Sequence, residues 1–383
     1  MEIFLLPVAT AFILTLAFVP LVKMLAWKLN IVDKPEARKL QVEAVPLLGG
    51  LGFLAPFALT LLFFYKGSTD LNLKAVLCCA VLLAALGFWD DKSGGISWRW
   101  KLGGQILAAL ALVIGAGVRT TFFELEILNI LASVFWLTFI TNSLNLLDNM
   151  DGLSAGVSAI ASFFFFLLAY RAGQPDLAMF CVLLAACLLA FLKYNFSPAS
   201  IFMGDLGSLF LGFTLGAVAL LLQGTEIRSW TVFLTYQNFN RYELVSVLIP
   251  LLVLAVPIFD TLLVMSLRTL NGLGIFTPGR DHSSHRITQL KGAAQRRLDR
   301  IILLYIRLTA RRKKTRQHAL RGIAQARTVL ILYACASLLG VSTLILAQLS
   351  LANIIVLAVL VILIALFSAR KLAQVLVYKN VRK

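Results

Sequence analysis

Long uncharged apolar runs dominate the chain, and each is about as long as a helix that crosses a bilayer. A spanning helix needs about 20 mostly apolar residues. The last two runs come from one uncharged stretch, 328–369, which is too long for a single crossing and must turn near 348–353. The pattern predicts an all-α, polytopic integral membrane protein with about 11 transmembrane helices, at 3–23, 46–65, 73–89, 102–118, 127–145, 152–170, 177–194, 206–223, 244–267, 328–347 and 350–368.

Composition excludes a soluble enzyme. The 383 residues are 60% hydrophobic and 14% charged, with a mean hydropathy of +0.89. An ordinary soluble domain carries about 25% charged residues, and a chain this apolar could not hide its surface from water. The five cysteines lie inside apolar runs without C-x-x-C spacing, so they indicate neither a disulfide framework nor a zinc site.

The net charge of +17 reflects topology. Most of the 35 Lys and Arg residues lie in loops that follow odd-numbered predicted spans. Because basic loops stay in the cytoplasm, we expect the N-terminus outside and the C-terminus in the cytoplasm. Binding of nucleic acid would rest on charge alone, and we expect none.

Four polar clusters lie at junctions between an odd-numbered and an even-numbered span. They contain Asp90 with Asp91, the segment 142–151, Asp205, and the segment 280–286. Junctions of this parity share one membrane face, which the charge pattern makes cytoplasmic. Converging carboxylates and imidazoles are typical of a site for a metal and a polyanion rather than of a conduction pathway.

The first three clusters each have a simpler structural alternative. Adjacent Asp90 and Asp91 are also compatible with a pair that marks the end of a helix. Polar residues spaced by three, as in 142–148, also hold helices together by hydrogen bonds. Asp205, flanked by glycines where a span begins, suits either phosphate binding at a helix N-terminus or a plain N-cap. Because acids recur at several junctions on the same membrane face, a functional site is favoured over these alternatives.

The fourth cluster, Arg280-Asp281-His282-Ser283-Ser284-His285-Arg286, favours phosphate. Guanidinium groups bracket two imidazoles, and such groups grip phosphate with charge-assisted hydrogen bonds. Zinc fits less well because cysteine ligands are absent and the surroundings are basic. Asp260, inside the ninth span, needs a partner or a wet cavity. We expect it to face the same polar cavity, with an interhelical hydrogen bond as the alternative.

These clusters resemble those of the polyprenyl-phosphate N-acetylhexosamine-1-phosphate transferases of glycosyltransferase family 4. The likeness starts at Asp33-Lys34-Pro35, includes Arg38-Lys39, Pro46 and Gly49-Gly50, and continues through Arg286. It implies transfer of a sugar 1-phosphate from a UDP-N-acetylhexosamine to a polyprenyl phosphate, with release of UMP. The reaction would depend on Mg²⁺, with Mn²⁺ as a substitute, at the cytoplasmic face of a bacterial inner (plasma) membrane.

The resemblance also implies roles for individual residues. Asp205 would be the principal metal ligand and Asn145 a second one. Asp90, assisted by Asp91, would orient or deprotonate the lipid phosphate, although a covalent phospho-aspartate stays open beside the direct attack that we favour. The remaining catalytic residues would be Asp148, Asp151, His282 and His285, and the remaining substrate-binding residues Lys34, Lys101, Asn142, Asn195, Phe202, Arg280 and Arg286.

Departures from the family pattern favour one branch. Gln41 stands where many relatives carry histidine, and Asn149 replaces a common glycine. The last cluster reads His-Ser-Ser-His-Arg instead of the consecutive histidines typical of the muramoyl branch. We therefore expect GlcNAc-1-phosphate transfer for a cell-envelope glycan. The alternatives are phospho-MurNAc-pentapeptide transfer and a non-enzymatic transporter or flippase of a polyprenyl-linked anion.

Three parts of the chain are expected. A catalytic transmembrane core covers residues 1–292, a basic insert covers 293–327, and a transmembrane hairpin with a basic tail covers 328–383. The insert is longer than the family usually has, and we predict an amphipathic helix that lies on anionic lipid headgroups. A homodimer is compatible with the sequence.

Overall fold

The computed structural model describes residues 2–33, 44–64, 71–225, 239–275, 279, 281–290, 313–346 and 348–375. Two short strands, β1 (Val32–Asp33) and β2 (Val45–Pro46), pair antiparallel. A π-helical turn, Ala111–Gly115, continues the fourth helix. The helices are α1 (Glu2–Lys28), α2 (Gly49–Phe64), α3 (Leu71–Ser93), α4 (Trp98–Leu110), α5 (Glu126–Leu147), α6 (Leu153–Arg171), α7 (Pro175–Asn195), α8 (Gly204–Thr225), α9 (Phe239–Val253), α10 (Ala255–Leu270), α11 (Ser283–Gln289), α12 (Lys313–Leu346) and α13 (Leu351–Ala373).

The all-α membrane class is confirmed, since every predicted span overlaps a helix. Within the described residues, eight helices are long and apolar enough to cross a membrane. Helices α9 and α10 together make a ninth candidate, bent by 77°. Helix α2, with 16 residues, is shorter, and so is α4, with 13. The total of eleven crossings and their orientation stay predictions.

The last two helices are separated by a break where the uncharged stretch predicted a turn. Helix α12 ends at Leu346, and α13 begins at Leu351. The Ser350 side chain caps α13 by accepting a hydrogen bond from the backbone N–H of Asn353 at 3.3 Å. A long apolar stretch therefore divides at a polar residue that satisfies a free N–H group.

Helix α12 starts inside the predicted basic insert. It runs without a break from Lys313 to Leu346, so the expected boundary at 327 falls within a helix. Its 34 residues would span about 51 Å, more than the roughly 30 Å of hydrocarbon in a bilayer. The first part of the insert, 293–312, lies outside the described residues, and its binding to anionic lipid stays a prediction.

Helix α8 forms the centre of the bundle. Of its apolar window, 89% is buried inside the protein, against 6% for α13. Helices α2, α3, α5 and α6 all pack on α8. Because Asp205 is the second residue of α8, the predicted site lies at one end of the most enclosed helix.

Backbone contacts fix where α8 begins. The N–H groups of Gly49 and Gly50 donate to the carbonyls of Phe202 and Met203, both at 2.8 Å. A Cβ added to Gly50 would lie 2.5 Å from the Cα of Gly207. The starts of α2 and α8 are therefore in contact at a distance that only glycine permits.

We expect Gly50→Ala to lower the thermal stability of the detergent-purified protein. The added methyl overlaps the α8 backbone, and overpacking of this kind costs about 1 to 3 kcal/mol. Gly103→Ala is the matched control, because a Cβ there meets nothing within 4 Å. Alanine in a helix is favoured over glycine, so the control should keep or raise the melting temperature. Equal effects of the two variants would contradict the contact.

Candidate active site

Asp91 caps the central helix. Its Oδ1 accepts a hydrogen bond from the backbone N–H of Asp205 at 3.0 Å, and its Oδ2 accepts one from Leu206 at 3.1 Å. An acid at the end of α3 thus satisfies free N–H groups at the start of α8. Since Asp91 provides this cap, the alternative in which Asp205 serves as a plain N-cap fails.

Lys101 lies between two of the predicted catalytic acids. Its Nζ is 2.8 Å from Asp90 Oδ2 and also pairs with Asp205 Oδ2. The side chains of Lys101, Asp90 and Asp205 are 18%, 10% and 25% exposed, so water screens the pairs only in part. Three helices, α3, α4 and α8, thereby bring two carboxylates to one positive charge.

Asn145 binds the carboxylate oxygen of Asp205 that does not pair with Lys101. Its Nδ2 donates to Asp205 Oδ1 and to Ser208 Oγ, both at 2.8 Å. These bonds connect α5 to the first turn of α8. The amide oxygen, Oδ1, is the atom of Asn145 that can ligate a cation, whereas the atom that faces Asp205 is the amide nitrogen. Asp205 and Asn145 are therefore adjacent, and their roles as metal ligands stay predictions.

Asp148 ends helix α5 and stands just beyond the apolar span. Burial raises the pKa of Asp148 to about 8, and repulsion from Asp205 and Asp151 adds to this effect. Asp205 and Asp151 are therefore close enough to oppose the ionisation of Asp148. A cation or a basic group at this position would relieve the repulsion.

Asp151 and Asn195 hold the loops around the site. Asp151 Oδ2 accepts a hydrogen bond from the N–H of Ala199 at 3.0 Å. Asn195 accepts one from the N–H of Gly152 at 3.2 Å and donates to the carbonyl of Ile201 at 3.0 Å. Both side chains connect the turn after α5 to the loop before α8, so the structure gives them a loop-shaping role beside the predicted ones.

Asn142 faces helix α4. Its Nδ2 donates to Gln105 Oε1 at 2.5 Å and to the carbonyl of Thr138 at 2.8 Å. This is the interhelical arrangement that the sequence left open as an alternative for the 142–148 segment. Binding of substrate by Asn142 stays a prediction.

The fourth cluster is organised by a buried ion pair and by hydrogen bonds to backbone carbonyls. Asp281 accepts two hydrogen bonds from Arg268, one from Nε and one from Nη2, both at 2.8 Å. Arg286 donates to the carbonyl of Asp281 at 2.7 Å and, through Nη1, to Leu372 at 3.0 Å and Val375 at 2.9 Å. The guanidinium of Arg286 thus attaches α11 to the end of α13, and its predicted contact with substrate stays a prediction.

Helix α11 lies against the acidic turn. Ser284 Oγ donates to Asn149 Oδ1 at 2.6 Å, which joins α11 to the segment that carries Asp148. The rings of His282 and His285 pack edge to face with centroids 6.3 Å apart. Asp260, in α10, accepts hydrogen bonds from His282 and Ser283, so it belongs to this cluster.

Helix α12 contacts two of the loops and helix α11, which the sequence did not reveal. The Tyr333 hydroxyl donates to the Gly152 carbonyl at 2.5 Å. The hydroxyls of Thr328 and Thr288 are 2.9 Å apart, and Ser197 donates to Gln325 at 3.3 Å. The signal in the sequence was the presence of polar side chains, Tyr333 and Thr328 among them, inside a hydrophobic span.

Of the three remaining predicted residues, one lies within the described residues. Phe202 contributes backbone contacts to the segment before α2, donating its N–H to the carbonyl of Pro46 at 2.8 Å. Lys34 and Arg280 lie outside the described residues.

The donor set suits magnesium bound together with a substrate. Among the described residues, no three His, Cys, Asp or Glu side chains are arranged to enclose a metal on their own. Mg²⁺, however, is commonly held by one or two carboxylates with substrate phosphates and water as the other ligands. The carboxylates of Asp205 and Asp90, which both pair with Lys101, and the Asn145 amide fit that kind of site.

Comparison with known proteins supports the resemblance. The family model described as "Glycosyl transferase family 4" matches residues 73–223. A probable undecaprenyl-phosphate N-acetylglucosaminyl 1-phosphate transferase of Bacillus subtilis (strain 168) is 33% identical over 297 residues, which are 73% of this chain and 77% of that protein. This chain belongs to glycosyl transferase family 4.

Further relatives show two branches of the family. A decaprenyl-phosphate N-acetylglucosaminephosphotransferase of Mycobacterium tuberculosis is 32% identical over 337 residues, 79% of each chain. A phospho-N-acetylmuramoyl-pentapeptide-transferase of Lacticaseibacillus paracasei is 32% identical over 253 residues, 60% of this chain and 78% of that protein. The N-acetylglucosaminyl-type relatives therefore align with more of this family 4 chain.

We expect Asp148→Asn to stabilise the metal-free family 4 protein in a pH-dependent way. The pKa of Asp148, about 8 in the fold, is near 4 in an unfolded chain, so ionisation penalises only the folded state. The resulting loss of free energy of unfolding in the wild type grows from about pH 4 to pH 8 and is constant above pH 8. The melting temperature of Asp148→Asn, minus that of the wild type, should rise over the same range in EDTA-treated protein.

Glu124→Gln is the control, because Glu124 is exposed and lies just before α5, at the end of that helix far from Asp148. It should show no such trend. A difference between Asp148→Asn and the wild type that is independent of pH would contradict the buried, repelled carboxyl.

Proposed function

We propose that this protein transfers GlcNAc-1-phosphate from UDP-GlcNAc to a polyprenyl phosphate at the cytoplasmic face of a bacterial inner membrane, releasing UMP. The observation that carries the proposal is the meeting of Asp90, Lys101 and Asp205 at the start of α8, beside Asn145 and Asp148. Acids that can hold Mg²⁺, with a lysine beside them, suit reactants that are all anionic phosphates. The named activities of the N-acetylglucosaminyl-type relatives point the same way.

The reaction is a phosphoryl transfer between two phosphates. An oxygen of the lipid phosphate attacks the phosphorus that carries the sugar, and the bond from that phosphorus to UMP breaks. UMP leaves with the bonding electrons, so the charge to be stabilised develops on its phosphate. Alignment of the two anions and neutralisation of their charge are the main catalytic tasks.

The described residues divide these tasks. Asp205 and Asn145 would hold Mg²⁺, which supplies positive charge to the diphosphate when bound. Lys101, released from one or both acids, would bind phosphate oxygens of the incoming substrates. Asp90 would orient the lipid phosphate and accept its proton when it arrives protonated. Asp148 would take part in positioning the nucleotide sugar.

Helix α11 would complete the site from the other side. Support for this comes from the bond of Ser284 to Asn149, which holds α11, with His282 before it and His285 within it, against the segment that carries Asp148. Imidazoles there can donate to or accept from the diphosphate or the sugar. Asp91 would act through the α8 backbone, because both of its oxygens accept hydrogen bonds from that helix.

The first test is release of UMP in detergent, which needs no sealed compartment. Purified protein with UDP-GlcNAc, undecaprenyl phosphate and Mg²⁺ should produce UMP and a lipid-linked GlcNAc diphosphate, identified by mass. A transporter or flippase would yield neither. If product forms only with UDP-MurNAc-pentapeptide, the protein belongs to the muramoyl branch. If no UDP-N-acetylhexosamine yields UMP, the proposed activity is wrong.

The second test is Asp205→Asn. Loss of the carboxylate should reduce kcat by about 100-fold or more, since charge stabilisation of phosphoryl transfer is lost. The melting temperature should change little, because Asp91 still caps α8 and asparagine keeps the size of the side chain. Glu124→Gln, which changes an exposed acid just before α5, should retain wild-type turnover. Wild-type kcat in Asp205→Asn would remove Asp205 from the site.

A further inference from the structure

The carboxylate of Asp260 is buried in helix α10 and has no exposed surface. A charge in that position requires hydrogen-bond donors. Asp260 accepts three hydrogen bonds from the start of α11: His282 Nδ1 at 2.8 Å, the Ser283 N–H at 2.6 Å and the Ser283 hydroxyl at 2.6 Å. Each is within the range of a strong, charge-assisted hydrogen bond.

These contacts determine the tautomer of His282. An ionised carboxylate only accepts hydrogen bonds, so the Nδ1 atom that faces Asp260 must carry the hydrogen. The Nε2 atom lies on the opposite edge of the ring, which is turned away from α10. Nε2 therefore accepts a hydrogen bond in the neutral ring and donates one after protonation.

The surroundings of α11 relate this ring to the acidic turn. Ser284, two residues after His282, bonds to Asn149 next to Asp148. The Asp260 side of His282 is thus fixed to α10, while α11 is fixed to the turn that carries a predicted catalytic acid. Packing of the His285 ring against His282 limits rotation of the imidazole further.

We infer that Asp260 is a positioning residue of the transferase: it holds His282 as the Nδ1–H tautomer and so presents Nε2 to the diphosphate sugar. This inference rests on the proposed function. Asp260 acts through His282 and does not itself touch substrate. The competing interpretation is a bond that only joins α10 to α11, with no consequence for the reaction.

Asp260→Asn separates these interpretations. The Ser283 N–H and hydroxyl, which donate to Oδ1 in the wild type, would keep the amide oxygen of the asparagine at that position. The amide nitrogen would then face His282 Nδ1 as a donor, so Nδ1 must become an acceptor. The hydrogen would move to Nε2, and the ring would keep its place with the wrong tautomer.

Nitrogen-15 NMR of histidine-labelled protein reads this change directly. The chain has three histidines, so His285→Gln and His318→Gln assign the His282 signals. We expect the neutral His282 ring to carry its hydrogen on Nδ1 in the wild type and on Nε2 in Asp260→Asn. A wild-type ring protonated on Nε2 would overturn the inference, and this measurement requires no Asp260 variant.

Turnover provides the second readout. Asp260→Asn should lower kcat by about 100-fold or more, the usual range for a misplaced general acid or base, with little change in the KM for UDP-GlcNAc. Ser283→Ala is the matched control: it removes one hydrogen bond to Asp260 but leaves the His282 contact. It should keep the Nδ1–H tautomer and nearly wild-type kcat.

Two further outcomes are decisive. Wild-type kcat in Asp260→Asn, with the tautomer moved to Nε2, would overturn the functional part of the inference and leave only the interhelical bond. If the wild-type protein releases no UMP from any UDP-N-acetylhexosamine, the proposed function fails, whereas the NMR spectrum still decides how Asp260 holds His282.

Discussion

The structure of the site depends on one interaction, the pairing of Lys101 with Asp90 and Asp205 at the start of the central helix. Carboxylates in a partly buried place repel one another and lose hydration, so they persist side by side only with a counter-charge. Lys101 provides that charge from a third helix. The same arrangement of charges suits both reactants and metal. A divalent cation would replace Lys101 beside the carboxylates, and the lysine would then bind phosphate.

Contacts between helices, most of them to backbone groups, give this cluster its geometry. Asp91 caps α8 across the bundle, and the glycine contact between α2 and α8 leaves the helix start no room to shift. Helix α12 contacts the turn at Gly152 through Tyr333 and helix α11 through Thr328. A rigid arrangement of this kind suits phosphoryl transfer, in which alignment of the reactants supplies much of the catalysis.

Much of this arrangement could be predicted from the sequence, because bilayer thickness sets the length of the apolar runs and junction parity places the acids on one face. The break before the last helix, at Ser350, followed from the same argument. Partners across the bundle could not be predicted. Local residue types left a plain N-cap open for Asp205, whereas Asp91 caps the helix from α3. They also could not show that the Arg286 guanidinium binds the end of α13. Such choices depend on which distant helices meet, and periodicity within one segment carries no information on that.

The most direct test of the central claim is an experimental structure with Mn²⁺ and UDP-GlcNAc, in which anomalous scattering locates the metal. The account predicts one peak at about 2.1 Å from an Asp205 oxygen, the distance typical of such small divalent ions, with Lys101 Nζ moved from Asp205 toward a phosphate oxygen. A metal bound elsewhere, with Lys101 still between Asp90 and Asp205, would contradict it.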